Sequence, residues 1–527
     1  MNNNLFYRSI LFILFAVSLS VTADAQYYLS GSNPAGTKWM QISGKHYNII
    51  YPQETDSIAR EYLWLLESNY NAVNSGLLIA PKKLPVVLNP YTVNSNGMVT
   101  WTPKRMELYT QTPVNGYAQL WQEQLALHEG RHVGQLTHFT RHFYKPLYWF
   151  LGEQGPGLGI ALHGARWLFE GDAVVAETAL SRSGRGRTAS FLEYYRAAFM
   201  NEDLRTWDRW RYGSYRNYAP DVYAFGYLIL STQSSLAKDS VINGEVLDYV
   251  SRYFYNPNNL NNAFLKYGTT AYNKTLDVAV NTMGRIWNEE LTQRGKLSDP
   301  QSQLNETRKD SGFYTTYSAG VADSKGNRYY SKYSYDMGCS LVKIDKGGHE
   351  STIRQFPYSG SINDTDGDKL YFTQKVQDKR WTNRVYSNLY TVDTLGKIRK
   401  LQGKGRYFSP TLHSEVCHGG RKMMAVIENL VQGGNRIAIL DALSGKKLGT
   451  IAPPARMEIS SIAWGTERLY ATIIGGSGLG IYYLDGMDCL IEKNFKGLNS
   501  AADWQNAARQ VDWQVDWQVD WQVAVKP

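Results

Sequence analysis

The sequence predicts two folded parts, an α+β domain and, after it, an all-β domain built from propeller-like repeats. The chain has 527 residues, which is too long for one ordinary hydrophobic core. Helical spacing of apolar residues dominates from about residue 118 to residue 294, whereas short strands separated by Gly, Asp and Asn turns follow residue 299. We therefore assign 26–300 to the first domain and 312–495 to the repeats, with a boundary between 296 and 312.

Composition excludes several classes of protein. Hydrophobic residues form 43% of the chain and charged residues 20%, which excludes wholesale disorder and a polytopic membrane protein. The net charge of +9 is small for this length and the basic residues are scattered, so we expect no nucleic-acid partner. The three cysteines, Cys339, Cys417 and Cys489, are too few and too far apart for a disulfide framework, and we interpret them as core residues.

Residues 1–25 have the pattern of an export signal that is removed from the mature protein. Arg8 supplies the positive charge, an apolar stretch covers 10–21, and Ala23 and Ala25 form the small-residue cleavage motif. No later segment reaches the roughly 18 continuous apolar residues that a membrane span needs. We therefore expect a periplasmic or extracellular protein without a membrane span.

The second domain repeats a strand that ends in aspartate and is followed by glycine. The closing aspartates recur at intervals of 48, 48 and 44 residues, and a second strand precedes each copy. A period of roughly 40–50 residues made of short strands is typical of propeller blades. Asp and Gly suit a tight turn between blade strands, and we favour this interpretation over calcium binding. The four aspartates are Asp345, Asp393, Asp441 and Asp485.

These repeats resemble the propeller of the Tol-system translocation protein, whose blades also end in a strand, an Asp and a turn. Four repeats are few for a closed ring, and the pattern stops after Lys496. Tandem copies of Gln-Val-Asp-Trp begin at Gln510 and fit neither a blade nor a heptad. We expect an incomplete propeller with an exposed edge strand near 481–484, and a low-complexity, disordered tail within 496–527.

The strongest chemical signal is the sequence His128-Glu129-Gly130-Arg131-His132 on a predicted helix. Residues four apart share one face of a helix, so His128 and His132 can both direct a ring nitrogen at one zinc ion. Glu129 follows the first histidine directly and can act as general base on a water at that metal. The alternatives are a structural histidine pair and a zinc site without activity.

A catalytic zinc ion needs a third protein ligand, and a second motif offers one. The segment from Trp167 to Glu177 reads W-x-x-E-G-x-A-x-x-x-E and resembles a stretch of the gluzincin metallopeptidases, such as the aminopeptidase N group. The resemblance implies a zincin-like domain with one Zn²⁺ per chain, held by His128, His132 and Glu170. It also implies that Glu177 supports a ligating histidine from behind, with direct ligation by Glu177 as the alternative.

The segment between the two motifs is longer than in the best-known gluzincins. Aromatic residues from Phe143 to Phe150 precede glycines between Gly152 and Gly159. We expect an extra helix and a glycine-rich loop over the site, and we do not carry over the substrates of those relatives. Three nearby histidines are interpreted as surface or core residues: His138, His142 and His163.

Peptide hydrolysis also needs a donor for the oxyanion, which gluzincins often place on a helix after the third ligand. Pro220 and Asp221 suit a helix start, and Tyr223 in the first turn is our candidate donor, with a core aromatic as the alternative. Arg185 and Arg187 could meet a substrate carboxylate, but we expect them in a solvated loop.

The sequence thus predicts a secreted zinc metallopeptidase whose propeller positions a peptide or protein substrate, or binds an envelope protein. The strand around 106–110 is expected to pair with an extended peptide by strand addition. The alternative is a non-catalytic envelope scaffold in which both domains bind a partner without cleaving it. The presence of Glu129 favours the enzyme over the scaffold.

Overall fold

The computed structural model describes residues 31–237, 242–294, 312–318, 320–356, 362–417, 421–465, 468–476 and 478–484. The predicted export signal, the segment 295–311 at the domain boundary, and the C-terminal tail lie outside these residues. Within the described ranges, no helix is both long enough and apolar enough to cross a membrane. The described residues form a largely helical N-terminal part and a C-terminal part made of β-sheets.

The N-terminal part begins with a mixed five-stranded sheet. Its strands are β1 (Trp39–Ser43), β2 (Tyr47–Pro52), β3 (Leu84–Leu88), β4 (Ser95–Thr100) and β5 (Arg105–Thr110). They lie in the order β1-β2-β3-β5-β4, and β4 runs antiparallel to β5. The expectation that the strand around 106–110 offers a free edge is therefore wrong. Because β5 lies between β3 and β4, it is an inner strand, and β4 is the edge on this side of the sheet.

Two helices pack on this sheet, α1 (Asp56–Val73) and α2 (Trp121–Thr137). Alternate residues of the strands, such as Ile49, are buried against them, as a sheet with one covered face requires. In α2, Leu125 and Val133 face this core, as their helical spacing predicts. Most of α2 is buried, so the predicted histidine motif lies inside the domain.

Most of the remaining helices form a second layer around a separate hydrophobic core. Three tryptophans, Trp167, Trp210 and Trp287, lie fully buried at its centre. The helices that contribute to this core are α5 (Arg166–Leu180), α6 (Glu193–Met200), α7 (Trp207–Tyr212), α8 (Val222–Ala237), α9 (Ile242–Arg252), α10 (Asn259–Tyr267) and α11 (Tyr272–Arg294). Helices α3 (Tyr144–Leu151) and α4 (Gln154–His163) lie between α2 and α5 in the chain and contribute no residue to it.

Helices α5 and α8 cross at very short range. Gly171 of α5 faces Gly226 of α8, and a Cβ atom on Gly226 would lie 1.9 Å from the carbonyl oxygen of Trp167. Only glycine allows backbones to approach so closely. The crossing brings the first turn of α8 beside the turn of α5 that carries Glu170.

The glycine-rich segment is helical, so the predicted loop is wrong, whereas the predicted extra helix is confirmed as α3. Helices α3 and α4 form a tight hairpin. A Cβ atom on Gly155 would lie 2.7 Å from the carbonyl carbon of Leu147, and one on Gly159 would lie 2.8 Å from the ring of Tyr144. The glycines therefore allow close contact between α4 and α3. The local sequence around the glycines does not show that α3 packs against them.

The C-terminal part is made of antiparallel sheets, each formed by strands that follow one another in sequence. This arrangement is that of propeller blades. The first sheet contains β6 (Thr315–Tyr317), β7 (Val321–Ala322), β8 (Arg328–Ser334), β9 (Gly338–Ile344) and β10 (Glu350–Gln355), and the second β11 (Ile362–Thr365), β12 (Lys369–Gln377), β13 (Val385–Asp393) and β14 (Ile398–Gln402). The third contains β15 (Tyr407–Cys417), β16 (Arg421–Asn429), β17 (Asn435–Asp441) and β18 (Lys447–Ile451), and the fourth β19 (Glu458–Trp464), β20 (Leu469–Gly475) and β21 (Gly478–Leu484).

Apolar clusters join each of these sheets to the next one along the chain. Among the described residues, no such cluster joins the fourth sheet to the first. Strand β21, which contains the predicted edge segment 481–484, pairs with β20 and is the outer described strand of its sheet. The fold therefore agrees with successive blades as far as the described residues reach.

The described turns between blade strands confirm the structural interpretation of Asp345, Asp393 and Asp441, whereas Asp485 lies outside the described residues. Asp345 Oδ1 accepts hydrogen bonds from the backbone N–H groups of Gly347 and His349, and Asp393 Oδ1 accepts two in the same way. Gly396 follows with a φ of 83°, a value that favours glycine. Asp and Gly are thus selected by the turn geometry.

The C-terminal sheets hold the loop that precedes β4. Arg406 donates hydrogen bonds of 2.9 to 3.2 Å to the three successive carbonyl oxygens of segment 90–92. The N–H group of Val93 donates to the carbonyl oxygen of Val385 at 3.1 Å. The loop belongs to the N-terminal part, whereas Arg406 and Val385 belong to the C-terminal sheets. The position of β4 therefore depends on contacts with both parts of the chain.

The same sheets also hold the N-terminus of α2. The buried carboxylate of Glu458 accepts hydrogen bonds from Thr112 Oγ1 at 2.9 Å and from the N–H group of Trp121 at 3.2 Å. Asn429 Nδ2 donates to the carbonyl oxygen of Thr112 at 3.0 Å. A negative charge at this end of a helix satisfies a free N–H group and interacts favourably with the helix dipole.

We expect Glu458→Ala to lower the free energy of unfolding by about 1–3 kcal/mol, because two buried donors lose their acceptor. Urea denaturation followed by circular dichroism measures this change. The matched control is Glu193→Ala, which removes an exposed acid from the first turn of α6 and should cost only a few tenths of a kcal/mol. Equal midpoints for the two variants would contradict the capping role.

Candidate metal centre

The structure brings His128 and His132 of α2 together with Glu170 of α5. The two Nε2 atoms lie 3.2 Å apart, and Glu170 Oε2 lies 3.2 Å from His128 Nε2 and 3.3 Å from His132 Nε2. These are the three residues whose donor atoms converge closely enough, within the described part of the chain, to hold one metal ion. The two sequence motifs therefore meet at one point.

The three donor atoms fit a tetrahedral zinc ion. Zinc–nitrogen and zinc–oxygen bonds of about 2.0–2.1 Å at tetrahedral angles place neighbouring donor atoms about 3.3 Å apart. The observed separations of 3.2 to 3.3 Å match that spacing in all three pairs. Two imidazole nitrogens and one carboxylate oxygen also form a donor set that zinc prefers.

Hydrogen bonds behind the two histidines orient their rings. His128 Nδ1 lies 3.0 Å from Glu177 Oε2, and His132 Nδ1 lies 2.7 Å from Gln135 Oε1. With a hydrogen on each Nδ1 atom donated to these acceptors, the Nε2 lone pairs face the cluster. Glu177 thus lies behind His128, on the side away from Glu170.

Arg185 is buried beside Glu177, so the prediction of a solvated loop is wrong. Its Nε and Nη2 atoms donate to the two carboxylate oxygens at 2.6 and 2.9 Å, and Nη2 also lies 2.8 Å from His128 Nδ1. Burial raises the pKa of Glu177, but Arg185 and His128 outweigh it and lower that pKa to about 2. The carboxylate therefore stays ionised and keeps accepting hydrogen bonds.

Glu129 follows the candidate ligand His128 directly in the chain, and one of its carboxylate oxygens is unpaired among the described residues. Its side chain is buried, and within the described residues Oε2 has no hydrogen-bond partner. The other oxygen lies against β4, where a Cβ atom on Gly97 would be only 2.5 Å from Oε1. Burial raises the pKa of the Glu129 carboxyl, which makes it a stronger base than an exposed glutamate.

Tyr223 lies at the same site. Its ring centroid is 5.9 Å from that of His128, and the guanidinium of Arg185 lies 4.9 Å from the Tyr223 ring centroid. Asp221 Oδ1 accepts the N–H group of Tyr223 at the start of α8, as the sequence suggested. Burial and the charge of Glu170 raise the pKa of Tyr223 to about 12, so its hydroxyl remains a donor at neutral pH.

The three neighbouring histidines have partners away from this cluster, in agreement with their predicted roles. His138 Nδ1 contacts the carbonyl oxygen of Gly134 at 3.1 Å, and His142 Nε2 lies 2.8 Å from Asp248 Oδ1. His163 Nδ1 lies 3.2 Å from the side-chain nitrogen Nδ2 of Asn259.

An ion pair that the sequence did not predict ties the two ligand helices together. Arg131 Nε and Nη2 donate to Asp172 at 2.8 and 3.0 Å, and both side chains are buried. Gln135 and Asn243 each donate to the same carboxylate at 2.6 Å. Arg131 precedes His132 directly, and Asp172 comes two residues after Glu170. Charged residues next to the candidate ligands in both motifs were the available signal.

Comparison with known proteins shows similarity to solved β-propeller structures over part of the chain. No protein family matches the chain by its sequence profile, and no curated protein matches it. Similar solved structures include the β-propeller domain of the Trilobed protease from Pyrococcus furiosus, at 13% identity over 32% of this chain and 54% of that one, with a TM-score of 0.26. TolB from Acinetobacter baumannii is 16% identical over 33% of this chain and 55% of that one, with a TM-score of 0.17. The chain thus spans little more than half the length of these structures.

Proposed function

We propose that this protein is an exported zinc metallopeptidase of the gluzincin type, which hydrolyses peptide bonds. The observation that carries the proposal is the unpartnered Oε2 of buried Glu129 beside three donor atoms at tetrahedral spacing. A structural zinc site would be closed by four protein ligands, whereas three ligands leave a position for reaction. A buried carboxylate oxygen without a hydrogen-bond partner is costly, and such groups in native structures are often catalytic.

Each residue of the site has a separate proposed role in the reaction. When bound, zinc supplies an activated water and polarises the scissile carbonyl group. Glu129 accepts the proton of the attacking water at Oε2 and donates it to the leaving amine. The hydroxyl of Tyr223 donates a hydrogen bond to the oxyanion. Glu177 and Arg185 keep the His128 ring in its binding orientation.

An extended peptide substrate is proposed to bind along β4. This strand is one edge of the N-terminal sheet, and its Gly97 lies against Glu129. Backbone pairing with β4 would draw a peptide past the proposed base by strand addition. The propeller-like sheets support this role, because Arg406 fixes the loop that leads into β4. They would also offer a surface for an envelope protein partner.

Metal analysis tests the ligand set. We expect the purified protein to carry about one zinc ion, and Glu170→Ala to lose it, because two remaining ligands bind zinc weakly. Glu177→Gln should weaken zinc binding about 10–100-fold, since that residue orients a ligand without touching the metal. Inductively coupled plasma mass spectrometry after dialysis against a zinc buffer measures both.

His142→Ala is the matched control, because this histidine binds Asp248 outside the cluster, and its zinc content should not change. Normal zinc in Glu170→Ala would remove Glu170 from the ligand set. A zinc-loaded wild-type protein that cleaves no member of a diverse peptide library would instead favour the non-catalytic scaffold.

A further inference from the structure

The helical hairpin of α3 and α4 is the most apolar exposed feature near the metal centre. It connects α2, which carries two of the candidate ligands, to α5, which carries the third. The hairpin is firmly attached, because Glu153 accepts a hydrogen bond from the N–H group of Lys104 at 2.6 Å and another from Thr102 Oγ1 at 3.1 Å. Its surface is therefore held in a fixed place on the domain.

Large apolar side chains of this hairpin face solvent. Phe150 is 83% exposed, Trp149 77% and Leu162 64%, although such residues are normally buried. Leu151 and Leu158 are also exposed. Single exposed apolar residues need no explanation, but a concentration on two packed helices marks an interaction surface.

The charges on this surface are basic. Within 143–163 the charged side chains are Lys145 and Glu153, and the Glu153 carboxylate is bonded to the backbone of Lys104. Lys145 is exposed, and its amino group lies 6.0 Å from the ring centroid of Trp149. Arg166, which begins α5 directly after the hairpin, is exposed too. Aromatic residues with flanking cations fit an anionic lipid surface.

We infer that the α3–α4 hairpin binds the surface of an anionic lipid bilayer, with Trp149, Phe150 and Leu162 inserted among the acyl chains near the headgroups. Helices of 8 and 10 residues are about 12 and 15 Å long, too short for a hydrocarbon core of about 30 Å. The hairpin must therefore lie in the interface. A protein partner is less suitable, because protein interfaces carry a polar rim that pairs both signs of charge.

This inference is independent of peptide hydrolysis, because it concerns a surface rather than the metal centre. Since the hairpin directly joins the two ligand helices, membrane binding would hold the metal cluster close to the lipid surface. Polypeptides at that surface would then meet the site at a raised local concentration.

Vesicle flotation tests the inference with the full chain. We expect the wild-type protein to float with vesicles that contain equal amounts of phosphatidylglycerol and phosphatidylcholine, and to float less with phosphatidylcholine alone. The double variant Trp149→Ser and Phe150→Ser should bind the anionic vesicles at least about tenfold more weakly, because two inserted aromatic side chains are lost. Lys145→Glu should weaken binding to the anionic vesicles only.

The matched control is the double variant Trp64→Ser and Tyr215→Ser, which removes aromatics that are 68% and 72% exposed elsewhere on the domain. It should float like the wild type. The inference is overturned if the wild type does not float, or if both double variants bind equally. It also fails if the hairpin variant changes a dimer into a monomer in gel filtration while vesicle binding is absent.

Discussion

We expect Glu129→Gln to retain zinc and lose peptide hydrolysis by about a thousandfold. The amide is nearly the same size as the carboxylate but cannot accept the proton of the attacking water. The Oε1 atom of the amide can still lie against Gly97, so the fold and the three candidate ligands should be unaffected. Turnover of a peptide found by library digestion, measured together with zinc content, separates loss of chemistry from loss of metal.

Glu123→Gln provides the control, because it makes the same change six residues earlier on the same helix, at a half-buried residue. Its turnover should equal that of the wild type. Undiminished hydrolysis by Glu129→Gln would show that another group takes the proton, and the proposed mechanism would fall.

The second large effect should come from the buried pair between Arg131 and Asp172. We expect Asp172→Ala to lower the free energy of unfolding by about 3–5 kcal/mol, because it leaves the guanidinium buried without its partner. Gln135 and Asn243 would also lose their acceptor, which adds unsatisfied buried donors. Urea denaturation in the presence of a chelator measures the effect without the contribution of bound zinc.

Glu289→Ala is the control for this prediction, because it breaks an exposed pair with Arg285 and should cost about 0–1 kcal/mol. A similar small cost for Asp172→Ala would mean that the buried pair does not stabilise the two ligand helices. Removal of both partners by Arg131→Met and Asp172→Leu should recover much of the loss, since no unpaired charge remains.

The parts of the fold that the sequence predicted are those with a local cause. The four-residue spacing of His128 and His132 follows from the helix period alone. The Asp and Gly of the described blade turns follow from hydrogen bonds within four residues, as at Asp393. The start of α8 at Asp221 has the same origin, because the capping acceptor lies two residues from its donor.

What the sequence could not predict depends on partners far along the chain. Arg185 looks like a loop residue until the buried carboxylate of Glu177 is placed beside it. The glycines before Gly159 look like a loop until α3 packs against them. Whether β4 or β5 is the edge depends on the order of strands, because either order gives the same alternation of apolar residues.

The capping carboxylate of Glu458 also has a consequence for the time at which the candidate metal centre forms. Its acceptor oxygens serve a helix that begins 337 residues earlier in the chain. At a synthesis rate of about 5–20 residues per second, α2 begins to be made about 17–67 s before its cap exists. The interval between synthesis of the loop before β4 and synthesis of Arg406 is almost as long. Nascent chains that stop short of the fourth sheet would therefore carry both histidines on a helix that is not yet fixed in place.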